Sequence, residues 1–93
     1  MIPKRLKEAR LNKGLTQEKL GVLAGIDEST AYSRLSHYEK GTHRPSFEMM
    51  CSFSRILHVP ECYFYILDDE FAGEVLMLFR KIKGEGEPVF SKA

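Results

Sequence analysis

The chain has 93 residues, enough for one domain with a single small core. At 43% hydrophobic and 29% charged it is ordinary globular material, which excludes global disorder, and no apolar run approaches the roughly 18 residues of a membrane span. The net charge of +1 hides an asymmetry: residues 1–45 carry nine Lys/Arg against five acids (+4), and residues 46–93 carry five against eight (−3). The basic half is either a solvated surface or the footprint of a duplex binder, and motifs decide between them.

In chain order, a first helix is predicted from Pro3 to Lys13. Proline suits a first turn, where its missing N–H is unneeded; Leu6, Ala9 and Leu11 supply apolar surface, and Lys4, Arg5, Lys7 and Lys13 are expected in water. Gly14 ends it. Thr16 caps a second helix, in which Leu20, Leu23 and Ala24 fall at i, i+3, i+4. Gly25 stops that helix, Ile26 returns to the core, and Asp27 caps a third. In the third helix Ala31, Leu35 and Tyr38 share one side. Ser29, Tyr32, Ser33, Ser36, His37 and Lys40 share the other, a row of hydroxyls, an imidazole and an ammonium without a carboxylate. Such a row can donate to base edges and phosphates. Tyr32 can stack on a sugar or thymine methyl or pack against the second helix, and Arg34 lies toward the edge of the face, within reach of a phosphate. Lys40, Thr42, His43 and Arg44 place more donors around the helix end, suited to the DNA backbone.

Ser46 caps a fourth helix to about His58, with Phe47, Met50, Phe53, Ile56 and Leu57 in period. Pro60 opens a fifth, Glu61 to about Leu67. Asp68, Asp69 and Glu70 read as the acidic first turn of a sixth, Asp69 to Lys83. It carries Phe71, Val75, Leu78, Phe79 and Ile82 as a stripe that Leu76 and Met77 widen. Gly84 to Pro88 breaks structure, so residues 84–93 are expected to form a mobile tail. Cys51 and Cys62 lack metal-ligand spacing and are read as reduced and largely buried, which with the absence of an apolar leader implies a cytoplasmic protein. His37, His43 and His58 do not cluster with the cysteines, so no metal or cofactor is expected. No nucleophile–base set, carboxylate pair or phosphate loop appears, so no enzymatic activity is expected.

These residues resemble the Cro/repressor-type (Xre-like) helix-turn-helix regulators. The resemblance is carried by Arg10, Gly14-Leu15-Thr16-Gln17-Glu18, Leu20, Ala24-Gly25-Ile26, Ser36, Tyr38-Glu39-Lys40-Gly41, Arg44-Pro45-Ser46, Ile56-Leu57-His58-Val59-Pro60 and Tyr63-Phe64, and covers residues 3 to 67. Two departures stand out. The segment from Gly25 to Glu39 is four residues longer than the common pattern, which either lengthens the third helix by a turn or adds a loop. Gly21 stands where the family usually has alanine, at about 1 kcal/mol of helix propensity.

The resemblance implies an all-α, lambda-repressor-like five-helix DNA-binding domain at residues 1–67, with an appended sixth helix at 68–83 for dimerisation or packing in cis. It puts Ser33 and His37 where the family reads bases, Gln17 at a phosphate, and Arg10 with Glu39 in a structural ion pair; joined to the donor row read above, this gives base contacts from Tyr32, Ser33, Ser36 and His37 and backbone contacts from Gln17, Arg34, Lys40, Thr42, His43 and Arg44. A dimer interface is expected from Tyr63, Phe71, Val75, Leu78, Phe79 and Ile82, because the family's module is complete before the sixth helix and its stripe needs a partner. The function read from all this is sequence-specific double-stranded DNA binding by a small homodimeric regulator, a repressor by occupancy of a two-fold related operator. The alternative is an antitoxin-like protein of the same fold whose terminal helix binds a different protein.

Overall fold

The computed structural model describes residues 1–84. Five α-helices and one 3-10 turn make up these residues, with no strands among them: α1 Pro3–Asn12, α2 Gln17–Leu23, α3 Glu28–Lys40, α4 Phe47–Leu57, the 3-10 turn Glu61–Tyr65, and α5 Asp69–Lys83. The start of each helix from α2 onward is fixed by a side-chain cap that satisfies an otherwise orphaned N–H. Thr16 accepts from the Lys19 N–H at 3.0 Å, Asp27 from Ser29 at 3.0 Å, Ser46 from Met49 at 3.1 Å and Asp68 from Phe71 at 2.7 Å. The four residues in excess of the common pattern are absorbed by α3, which runs unbroken for 13 residues. The chain between α2 and α3 stays short, and Gly25 makes its bend at φ +92°, where a side chain would be strained.

The core forms where these helices meet. Leu6 and Ala9 of α1, Leu20 of α2, Ala31, Leu35 and Tyr38 of α3, and Met50, Phe53 and Leu57 of α4 pack with Ile26, Val59, Tyr63, Phe64 and Ala72. The packing of α2 on α3 is the tightest. A Cβ built on Gly21 would lie 2.8 Å from the Ala31 Cβ and 3.2 Å from its Cα, so the glycine permits a separation that alanine would push apart.

Four expectations need correction. Phe47 is exposed, because the first turn of α4 points out of the core. Cys62 is exposed and Cys51 only half-buried; both are free thiols. The fifth predicted helix is a five-residue 3-10 turn, after which the chain is extended at Ile66. The largest correction is Arg5, which is 2% exposed rather than in water. Its Nε donates to the Ile66 carbonyl at 2.9 Å and a terminal nitrogen to the Leu67 carbonyl at 3.1 Å; the guanidinium also pairs with Glu8 at 3.1 Å and Asp69 at 2.9 Å and lies over the Tyr63 ring. Leaving the 3-10 turn, the chain presents two carbonyls that no helix satisfies. A planar fork of five donors on α1 satisfies both and still reaches two carboxylates. Burial alone would lower the guanidinium's pKa; Asp69 and Glu8 outweigh it, and the net direction is upward.

The expected mobile tail, residues 84–93, lies outside the described residues except for Gly84, which closes α5 in a left-handed conformation. Among the described residues no helix is long and apolar enough to cross a membrane.

Candidate nucleic-acid interface

The buried side of α3 is Ala31, Leu35 and Tyr38, which fixes what its other side can present. Tyr32 is 64% exposed, Ser33 is exposed, and Ser36 and His37 are half-buried at the edge of the packed face. The four stand along one convex side of the helix. Ser29, a turn earlier, is engaged locally: both its N–H and its hydroxyl donate to Asp27, which holds that carboxyl below the usual carboxylate range, the hydroxyl being the larger cause. At the other end the ring of His37 meets that of His43 edge to face, centroids 4.6 Å apart, because Gly41 turns the chain and the Thr42 N–H donates back to the His37 carbonyl at 2.9 Å. His37 and His43 therefore form one surface, with exposed Lys40, Thr42 and Arg44 around it. Six sequence positions separate the two rings, and only the tight turn brings them together.

A polar and almost dry contact adds to the apolar packing that holds α3 in place. The Nε of Arg10 donates to one oxygen of Glu39 at 2.6 Å and a terminal nitrogen to the other at 3.1 Å, with side chains 9% and 4% exposed. A further donor of Arg10 takes the Leu15 carbonyl at 2.8 Å, and the Gln17 amide adds a third bond to Glu39 at 3.0 Å. One carboxylate thus ties α1, the start of α2 and the last turn of α3. The bidentate geometry fixes direction as well as distance. Glu39 lies in the last turn of the helix that carries the row, and these bonds turn it inward.

Two other expected contacts are already engaged. Arg34 is exposed, but its guanidinium donates to the Tyr38 hydroxyl at 2.6 Å and lies over that ring. Gln17 is the first residue of α2, and its own amide is held by Glu39. Among the residues expected at an interface between copies, Tyr63 is 4% exposed; its ring is core and its hydroxyl donates to Glu8 at 3.2 Å. The fold uses that ring itself, so it is no longer a candidate there. Phe71, Leu78 and Ile82 are exposed on α5, and Val75 and Phe79 are half-buried, Phe79 meeting the His58 ring at 5.2 Å. No group of three or more His, Cys, Asp or Glu able to hold a metal occurs among the described residues.

A short helix, a glycine turn and a longer helix with a polar outer row define a helix-turn-helix. The helix-turn-helix family model HTH_3 matches residues 6–64, and the chain belongs to this family of Xre-type, lambda-repressor-like DNA-binding regulators. A solved structure described as transcriptional regulator BswR is similar, at 35% identity and a TM-score of 0.83, over 91% of this chain and 87% of that one. No curated protein matches.

Proposed function

We propose that the protein is a homodimeric transcriptional regulator in the cytoplasm that reads a two-fold related operator by placing α3 in the major groove, and that it represses by occupancy. The observation that supports this reading best is the outer row of α3. Between Ser29 and Lys40 donor and acceptor side chains are presented there while the one carboxylate of that span, Glu39, is buried in a three-way polar tie that holds the helix. Base edges in the major groove are distinguished by such donors and acceptors. A hydroxyl at Ser33 or Ser36 and an imidazole at His37 suit purine acceptors, and Tyr32 suits the thymine methyl or a sugar. Lys40, Thr42, His43 and Arg44 flank the row as phosphate contacts, and the N–H groups at the start of α2 add another with Gln17. Arg34 uses one of its five donors on Tyr38, which leaves others to reach a phosphate.

The homodimer is supported by α5, whose exposed apolar residues face away from the chain's own core. The same residues suit a heterologous partner as in an antitoxin; a stoichiometric second protein that copurifies would favour that reading, and a lone dimer the regulator.

The test separates reading from gripping. Ser33→Ala and His37→Ala should flatten base preference at particular operator positions, each by about 1–3 kcal/mol of discrimination. Arg44→Ala should weaken all sequences alike and reduce the slope of log affinity against log salt by about one. Uniform losses from all three variants would overturn the assignment of the row to base reading.

A further inference from the structure

We infer that two copies pair through α5 in antiparallel order, a geometry that rests on the homodimer proposed above. Phe71, Val75, Leu78 and Ile82 are spaced four, three and four, the seam of a two-helix coiled coil. Phe71, Leu78 and Ile82 are 56%, 57% and 71% exposed. The neighbouring face of the helix is already used: Ala72 is buried in the core and Leu76 packs against it. The seam is therefore separate from the contact that holds α5 to its own domain.

Charge selects the direction. Glu74 and Lys81 are exposed, lie one heptad apart, and flank the seam on the side opposite Ala72. In a parallel pair the acidic first half of α5 would lie along the acidic half of its partner, and the basic ends, with Lys81 and Lys83, would meet. Antiparallel order reverses both juxtapositions. It sets Phe71 against the partner's Ile82 and Val75 against the partner's Leu78, and it places Glu74 beside the partner's Lys81 twice, once on each side of the two-fold axis. Opposed helix dipoles favour the same order. The axis then crosses α5 near its middle, at right angles to the helix.

Cross-linking of the full chain tests this, with Cys51→Ser and Cys62→Ser removing the native thiols. Phe71→Cys and Ile82→Cys are made as separate variants, and a short bismaleimide is added to each alone and to a re-equilibrated mixture. In antiparallel order two copies of position 71 lie roughly 17 Å apart along the helix, beyond the reagent. Only the mixture should then give a covalent dimer; rapid linking of either variant alone, or none in the mixture, overturns the proposal. Charge reversal gives an independent reading. Glu74→Lys and Lys81→Glu should each weaken the dimer on the order of tenfold, since two exposed ion pairs become repulsions, and combining them should restore it. A double variant no tighter than the singles overturns the pairing. A wild-type chain that sediments as a monomer removes the homodimer itself, whereas a dimer with the wrong cross-links removes only the antiparallel order.

Discussion

Glu39 is the residue on which the presentation of α3 turns. Its carboxylate is almost fully buried and takes three side-chain donors, two from Arg10 and one from Gln17. Removing it leaves the Arg10 guanidinium buried without its partner, which costs about 3–5 kcal/mol in comparable pairs. Glu39→Ala should therefore lower the melting temperature far more than Glu18→Ala, an exposed acid on α2; equal effects would contradict the burial of the pair. Gly21→Ala should also destabilise. The gain of about 1 kcal/mol in helix propensity is opposed by a Cβ only 2.8 Å from that of Ala31, and overpacking costs typically 1–3 kcal/mol. A raised melting temperature would mean that α2 and α3 separate freely. The Arg10–Glu39 tie was legible in the sequence because both partners stand at motif positions. Arg5 was not. Nothing in the pattern of Lys4, Arg5 and Lys7 tells which cation turns inward, since that is decided by two carbonyls some sixty residues away.

At the scale of elements, α5 is joined to the domain by charge near its start and by apolar contact along one face. Asp69 pairs with Lys4 and with Arg5, both at 2.9 Å, and its carboxyl is held below the usual carboxylate range, chiefly by the Lys4 bond and then by Arg5. Because the folded pKa is depressed, this contribution is present above the unfolded value near 3.9 and fades as pH falls through the folded value. Wild type should lose melting temperature as pH falls below about 4, and Asp69→Asn should lose less over the same range; parallel curves would show that the pair does not stabilise the fold. Leu78→Asp belongs to the same element and has a different expected outcome. Leu78 is exposed in the single chain, so the variant should keep the helical spectrum and the fold while sedimenting as a monomer. An intact dimer would place the interface elsewhere.

The elements themselves were readable because capping residues mark their starts. Thr16, Asp27, Ser46 and Asp68 each stand one residue before a helix, and the bounds of α5 follow from Asp68 and Gly84. The fifth element was misread because Pro60 and an apolar run are equally compatible with a helix and a 3-10 turn. It ends at Tyr65, and the extended chain beyond it presents the carbonyls of Ile66 and Leu67 to Arg5, a tertiary contact that local pattern does not carry. Phe47 shows the same limit: periodicity assigns it to the packed stripe of α4, but the first turn lies beyond the edge of the core.

For the whole molecule, the outer row of α3, the loop that follows it and the exposed apolar stripe of α5 lie on different elements, so each can be changed without removing the others. Reading, gripping and pairing should then fail separately: His37→Ala alters base preference, Arg44→Ala alters salt dependence, and Leu78→Asp alters stoichiometry. The modest net charge is no obstacle, because the basic residues are concentrated in the first 45 positions, where α3 and its loop stand. The most direct measurement is selection of bound duplexes from a random pool by the full-length wild-type protein. The account predicts enrichment of one inverted repeat with a fixed separation between half-sites, lost at individual positions when Ser33 or His37 is replaced. A pool that stays random, or that enriches a single unrepeated site, would contradict it.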